Sequence, residues 1–569
     1  MNKYLIGIIT TILTIAQVQA TGFIPEDLAY SPPLQEMTQS DASATSLPFN
    51  NYLEIGHEQL LSINHTTGDV DGNGDISIAD VSALIDILLG DIADYDTRIR
   101  CDMNFDGNIS ISDLSLLIDY LLSGIKPEHI KEGYDYVWDE DALPEIHINV
   151  SLDEWNRLLA MYDENRYTRQ YIMADMVYIK GGDTTAIDSV GLRLKGNSSR
   201  HRPEGRQYFV PHQTNTTLWR RVHFGINLRK YVDEDAHTIQ GIRKIHLRCC
   251  TNDPSYVREK YCYDLFKRAG VWSAIRNEYC RLWLYVEGDD NEAYFGVYLM
   301  LEPIDKRYLK DRKDKFGSSN GYLWKCRNLG SGGAGLNNPN GDIWYDDDTD
   351  DMHTYTLKTQ TEEFDSARVQ LVNFMNKLNT LNDTQFHTWI QQVTDVDLLL
   401  KTYAVNVAVG MWDDYWNNAN NYYLYFSGKH LTGYKVFFIP YDYDSSLGNC
   451  STSGYLTDSG RQNPLQWGHN YNPLIYKILQ YDDFRQIYIN HLMELIDERY
   501  ALNDREAAQA RITAWHELIA PYISNDTGWE MAIEDRPADF SNHGEYNMLN
   551  DDENNFFTVK AESINTMQE

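Results

Sequence analysis

The chain has 569 residues, 42% of them hydrophobic, and a formal charge of −35 from 84 acids against 49 bases. That length exceeds one simple core and sets an expectation of two or three domains. The charge argues against nucleic acid or an anionic membrane surface as partner, since both would repel the chain, and favours calcium or a basic protein.

Met1–Ala20 carries Lys3, an apolar run from Tyr4 to Ile15, and small residues at Val18 and Ala20, the pattern of a cleavable secretory signal, so an exported protein is expected. No later run of 18 apolar residues could span a bilayer, and no cysteine follows the cleavage point to take a lipid anchor. Residues 21–62, rich in Ser, Thr, Pro and Gln without periodicity, read as a linker or loosely ordered lead-in. Seven cysteines leave a disulfide or two open, and their spacing does not suggest a zinc site.

A repeat with a period of 33 residues follows, GDVDGNGDISIADVSALIDILLG from Gly68 and CDMNFDGNISISDLSLLIDYLLSG from Cys101. Each copy places oxygen ligands at loop positions 1, 3 and 5, Gly at 6 for the sharp turn, and an acid at 12, as a calcium loop of the EF-hand kind requires. In the first copy these are Asp69, Asp71, Asn73, Gly74 and Asp80; in the second, Asp102, Asn104, Asp106, Gly107 and Asp113. Asp75 and Asn108 sit at position 7, where the backbone carbonyl ligates, and Ser77 and Ser110 at position 9. An apolar helix is expected after each loop, with none before it. Asp at position 12 and the loop-helix order resemble the dockerin module, an all-α calcium-binding unit that docks onto cohesin domains. The resemblance covers residues 63–126 and implies two calcium ions and a cohesin-like scaffold partner. Loop positions 10 and 11, which carry cohesin contacts in that family, are Ile78-Ala79 and Ile111-Ser112 rather than Ser-Thr pairs.

Past a charged connector, alternation and helical spacing mix as an α+β pattern. Strands are expected at 146–150, 177–180, 190–195 and 242–250, with a helix over 152–162. Asp253 is expected to cap a second helix that has Pro254 at its first position and stops at Gly270. Residues 279–286 and 294–302 read as a hairpin, residues 328–351 with their GSGGAG as a flexible insertion, and Ser366–Leu378, Asp395–Val409, 482–498 and 505–521 as helices.

The centre of the chain is Trp412–Gly448. YYLYF (422–426) and YKVFFI (434–439) flank a Gly-containing turn and predict an antiparallel hairpin, which would bring Asp442 and Asp444 back beside Asn421 and the Asp413-Asp414 pair. Hard-oxygen residues gathered this way suit a divalent cation, and an Asp and Asn followed by two strands and another Asp serve phosphoryl transfer in kinases. Asp413, Asn421–Tyr425, Ile439-Pro440-Tyr441-Asp442-Tyr443-Asp444 and Gly448 resemble the CotH spore-coat kinase family. Further matches lie at Gly196-Asn197-Ser198-Ser199-Arg200, at Asp253-Pro254-Ser255 through Glu259, and at Gly296-Val297-Tyr298 through Glu302.

The resemblance covers roughly residues 143–569 and implies an atypical protein-kinase-like two-lobed domain. It implies Asp413, or Asp414, as the catalytic carboxylate, and Asn421, or else Asn418, with Asp442 holding Mg²⁺ and Asp444 behind or beside them. Lys195, Arg220, Arg221 and Lys325 become candidates for the phosphates of ATP, with Glu302 at the adenine-facing segment. Two departures stand out: Lys195-Gly196 where the family has Arg-Gly, and Arg221 where a Lys is expected. The substrate implied is Ser or Thr on an exported protein. Two other readings remain open: a polysaccharide-degrading glycoside hydrolase, since 40 Tyr and 13 Trp would suit sugar stacking, and a non-catalytic extracellular assembly protein.

Overall fold

A computed structural model describes residues 66–105, 108–124, 134–140, 142–197, 199–250, 252–330, 332–347, 349–450, 456–537 and 546–568. The expected signal segment, the lead-in, and Asp106 and Gly107 of the second calcium loop lie outside the described residues.

The small module forms helices Ile78–Leu89, Tyr95–Cys101 and Ile111–Ser123. Ser77 and Ser110 each cap the helix after a calcium loop, and Asp80 and Asp113 answer by accepting from the cap residue's backbone N–H. The middle helix corrects the expectation that no helix precedes a loop: it ends at Cys101, directly before Asp102. Its seven residues, YDTRIRC, are too short to show an apolar period. Among the described residues, the module's enclosed core is Val70, Val81, Leu84, Cys101, Met103 and Leu117, with partly buried neighbours such as Ile76 and Leu121 packed against it. Tyr95 packs against the main hydrophobic core instead. Asp96 pairs with Arg511 at 3.2 Å, and the Arg511 guanidinium lies 5.5 Å from the Tyr95 ring centroid.

The next seven strands are β1 (Glu145–Val150), β2 (Ile172–Lys180), β3 (Asp183–Leu194), β4 (Phe224–Asn227), β5 (Lys244–Arg248), β6 (Asn277–Val286) and β7 (Ala293–Leu301). They close into a barrel in the order β1-β2-β3-β4-β5-β7-β6, sealed by the parallel pairing of β1 with β6. The two-residue period of a strand sorts side chains between inside and outside. On β5, Ile245 and Leu247 are buried while Lys244, His246 and Arg248 face out. The interior is apolar, with Ile146, Leu192, Phe224, Leu247, Leu282 and Phe295 among its fully buried members.

Five further strands, β8 (Tyr322–Cys326), β9 (Ile343–Tyr345), β10 (Tyr355–Leu357), β11 (Tyr422–Phe426) and β12 (Val436–Pro440), form a second sheet in the order β12-β11-β8-β10-β9. The predicted hairpin is β11–β12, antiparallel from Tyr422↔Pro440 to Phe426↔Val436. Helices Phe364–Thr380, Asp383–Val393, Val396–Ala408, Asp482–Ile496, Arg505–Ile519 and Phe556–Asn565 accompany this sheet and share the larger core.

Two expectations are corrected. The helix expected from Pro254 begins at Arg258, because Asp253 spends its carboxylate on the Ser255 hydroxyl (2.6 Å) and the Arg258 backbone and guanidinium, forming a turn ahead of the helix. The Gly-rich stretch is not a flexible insertion: Ala334 and Leu336 are buried, the Ala334 N–H donates to the Ala419 carbonyl at 2.8 Å, and residues 343–345 form β9. Among the described residues no disulfide forms, and no helix is long and apolar enough to cross a membrane.

Candidate functional site

The helix Val396–Ala408 delivers the chain to Trp412, and the segment after β12 returns beside it, with the Trp412 N–H 3.4 Å from the Ser445 carbonyl. Asp413 is only partly buried, and three asparagine side chains donate to its carboxylate: Asn418 (2.5 Å), Asn420 (3.0 Å) and Asn421 (2.9 Å). The Asn421 amide also donates to the Asp413 backbone carbonyl at 3.0 Å. Burial, with Asp444 nearby, pushes the Asp413 carboxyl up to about 6 against the pull of the asparagines.

The acid doublet is divided by its surroundings. Asp414 is buried as the N-cap of the short helix Tyr415–Asn418, its two oxygens accepting from the Asn417 backbone (2.7 Å) and the Asn406 amide (2.6 Å). Burial raises it to about 7. With both oxygens committed, Asp414 shapes the loop, whereas Asp413 keeps partial exposure.

Asp442 and Asp444 converge on Arg248 at the end of β5. The guanidinium contacts Asp442, reaches Asp444 at 3.5 Å, and turns its Nε to Glu259 on the helix Arg258–Arg268 at 3.2 Å. Asp442 adopts a left-handed backbone (φ 67°), and its N–H donates to the Tyr263 hydroxyl at 2.9 Å.

Lys195 and Lys325 lie close enough to Arg248 for its charge to act on both. The Lys195 ammonium lies 2.8 Å from the His246 ring. It crosses β4 where Gly225 leaves room: a Cβ there would meet the Lys195 side chain at 2.9 Å. Lys325 on β8 is paired with Tyr423 on β11, and its ammonium stands 4.6 Å from the Tyr441 ring centroid. Burial and crowding by like charge hold both lysines well below the ordinary lysine range: Arg193, Lys325 and Arg248 around Lys195, and Arg327, Lys358 and Arg248 around Lys325. The Nε atoms of Arg193 and Arg327 are buried with no hydrogen-bond partner in the structure. Partly buried cations gathered this way fit a polyanionic ligand such as a nucleotide phosphate.

Three sequence candidates are placed otherwise. Arg221 is buried, donating to the Tyr256 hydroxyl (3.1 Å) and the Val297 carbonyl, with Tyr256 and Tyr298 against its guanidinium. Arg220 lies over the exposed Trp529 ring at 5.1 Å. Glu302 is clamped between Arg312 (2.7 Å) and Arg276 (3.0 Å), which hold its carboxyl below the ordinary range against burial.

In the first calcium loop, ligand atoms of Asp69, Asp71 and Asp80 lie within 4.8 Å of one another. The Gly74 N–H donates to Asp69 Oδ2 at 2.9 Å, whereas Asp69 Oδ1 is buried with no hydrogen-bond partner, as a cation ligand would be. Asn73 turns its amide onto Asp71 (2.8 Å) and accepts from the Asp75 N–H (2.8 Å). In the second loop Asp113 is fully buried and accepts from Met103, Asn104 and Ser110 backbone N–H groups; Asp102 and Asn108 stand at the equivalent positions. The hard carboxylate set fits calcium.

Comparison with known proteins follows this division. The family model for CotH kinase protein matches residues 192–551. This chain belongs to the CotH family. A dockerin type I domain is also present, matching residues 67–122. The inner spore coat protein H of Bacillus subtilis strain 168 is 28% identical over 315 residues, which span 53% of this chain and 76% of that protein. Dockerin type I domains generally bind calcium and dock onto cohesin scaffolds, so this CotH protein carries a docking-capable module. The CotH match begins inside β3, whereas barrel closure also needs β1 and β2.

Sequence reasoning missed Arg248, Glu259, His246, Asn406 and Asn328, the last donating its backbone N–H to the Asn420 side chain at 2.8 Å. A periodicity signal existed for two of them, since His246 and Arg248 alternate with buried Ile245 and Leu247. Glu259, Asn328 and Asn406 are joined to the site only by tertiary packing.

Proposed function

We propose that this CotH protein binds ATP with Mg²⁺ in the cleft between barrel and second sheet and phosphorylates Ser or Thr of an exported protein. The observation that supports it is the grouping of the partly buried Lys195 and Lys325, both within electrostatic reach of Arg248, with Lys325 paired to Tyr423 just beyond the Asp413–Asn421 loop, in a strongly acidic chain. In this reading the barrel is the nucleotide lobe of a kinase-like pair, and the helical body with β8–β12 is the other.

Lys195 and Lys325 hold the phosphates as point charges. Because the Asn421 Nδ2 is committed to Asp413, the amide oxygen is the atom left for a cation, which Asp442 and Asp444 would share in this reading. Magnesium, when bound, neutralises charge on the transferring phosphoryl group. Asp413 accepts the proton of the acceptor hydroxyl as the new O–P bond forms and the bond to the ADP oxygen breaks. A carboxyl near 6 is mostly ionised at neutral pH and still a competent base. Glu302 and Arg221 support the fold around the nucleotide rather than touching it.

The dockerin module, with calcium in both loops, holds the protein to a cohesin-like scaffold outside the cell. Support comes from the duplicated exposure of Ile78 and Ile111 (each 74%) and of Leu89 (81%) and Leu122 (82%), equivalent positions of the two repeats. An apolar pair at loop position 10 suits a more apolar partner surface than a Ser-Thr pair does.

The test is a melting curve with and without ATP and Mg²⁺ for wild type and Asp442→Asn. Ligand at 100 times the dissociation constant stabilises by about 2.7 kcal/mol. A shift lost in Asp442→Asn supports the site. Absence of any shift in folded protein refutes the nucleotide reading.

A further inference from the structure

The acidic end of the cleft already contains a cation, and it belongs to the protein. Arg248 closes β5, and its three guanidinium nitrogens are divided among three carboxylates: Nη2 on Asp442, Nη1 on Asp444 and Nε on Glu259. The carboxylates come from two distant segments, the stretch after β12 and the helix Arg258–Arg268. A planar fork with fixed donor directions meets three acids only where the fold aims them. Asp442 is aimed by its left-handed backbone and by Tyr263, Glu259 by the rigid helix that carries it.

We infer that Arg248 is the resident counter-ion of this acid group, so that its guanidinium and a divalent cation compete for Asp442 and Asp444. The inference rests on the phosphotransfer reading, whose metal it concerns. Without Arg248 the two aspartates would face each other with no positive charge between them, a costly arrangement where water is partly excluded. With Arg248 in place, a metal ion must first displace the guanidinium. Glu259 gives the displaced group a place to stay, since the Nε contact does not involve the metal-facing aspartates. The released Nη atoms then point toward the cleft that holds Lys195 and Lys325, where a phosphate oxygen can take them. Metal and nucleotide therefore favour each other's binding, and metal alone binds weakly.

The experiment uses the full chain with two equivalents of Ca²⁺ to fill the dockerin loops, titrated with Mn²⁺ and followed by the electron paramagnetic resonance of free Mn²⁺. Asp442→Asn/Asp444→Asn supplies the baseline, and melting curves confirm folding. The Arg248→Gln chain is expected to bind one Mn²⁺ at least ten-fold more tightly than wild type, through a site absent from the baseline variant. Equal or weaker affinity, with the wild-type site present, overturns the inference and leaves the phosphotransfer reading standing. If no chain shows an Asp442-dependent site, both fail together. Should Arg248→Gln not fold, Arg248→Gln/Glu259→Gln removes the carboxylate left unpaired and is held to the same expectation.

Discussion

The backbone N–H of Asn328 donates to the Asn420 side chain at 2.8 Å, across 92 positions of sequence, and the Asn328 amide donates to the Asn418 carbonyl at 2.9 Å. Asn418 and Asn420 in turn hold Asp413. The loop after β8 is thus the outer support of the proposed catalytic carboxylate. Asn328→Ala should lower the transfer rate about ten-fold or more with ATP affinity unchanged, because it removes side-chain support worth about 1–3 kcal/mol at Asp413 while leaving the cations alone. Single-turnover rates and nucleotide titrations on one preparation separate the two.

The adjacent acids should fail in different ways. Asp413→Ala is expected to lose about 10²–10⁴-fold in transfer rate with little change in nucleotide affinity. Asp414→Ala should cost about 2 kcal/mol or more of stability, having removed a helix cap and left the buried Asn406 amide without its acceptor. Urea midpoints and rates for both variants decide it; a stable but inactive Asp414→Ala would reverse the roles.

One residue should give activity and stability opposite pH slopes. The Asp413 carboxyl is raised to about 6, chiefly by burial, above its unfolded value near 4. Its contribution to stability is therefore fully present below pH ~4 and is lost as pH rises through about 6. Transfer needs the ionised form, so the rate should climb through about pH 6 and level above it. Between about pH 4 and about pH 6 the melting difference between wild type and Asp413→Ala should move in favour of the alanine chain, and it should level above that. A rate limb near pH 4 would contradict the buried base.

Gly225 marks where Lys195 crosses the barrel wall. A side chain there would push against a flexible lysine rather than backbone, so Gly225→Val should fold yet weaken ATP binding about ten-fold. Isothermal titration beside circular dichroism reads both, and unaltered affinity would remove Lys195 from the phosphate site.

Calcium removal should separate the module from the body. With a small enclosed core among the described residues, the dockerin domain is expected to rely on its calcium loops for folding, and EGTA should abolish its helical signal while the main melting transition persists. Asp80→Asn, at a fully buried ligand position, should reproduce part of that loss. A module indifferent to EGTA would refute calcium in these loops.

Local rules made some of this legible and long-range packing the rest. The β11–β12 hairpin could be read because two aromatic runs flank a glycine turn, and with it the return of Asp442 and Asp444 toward Asn421. The calcium loops could be read because ligand spacing is fixed along twelve consecutive positions. Barrel closure could not, since the β1–β6 pairing joins segments 136 positions apart, as at Glu145↔Arg281. Arg221 showed the opposite failure: its place in a motif drew attention to a charge that the fold encloses between Tyr256 and Tyr298. The cation beside the acids proved to be Arg248, whose pairing with Glu259 depends on how a helix lies against a strand.

The seat of Tyr95 and Asp96 against Arg511 has a mechanical meaning. Arg511 also reaches Asp264, at 3.7 Å, on the same helix that carries Glu259. A docking domain on a loose string would let the catalytic mouth sweep a sphere around its anchor. One seated on the body would give that mouth a heading, so that, in the proposed reading, a scaffold gripping Ile78 and Ile111 would also decide which neighbours come within reach.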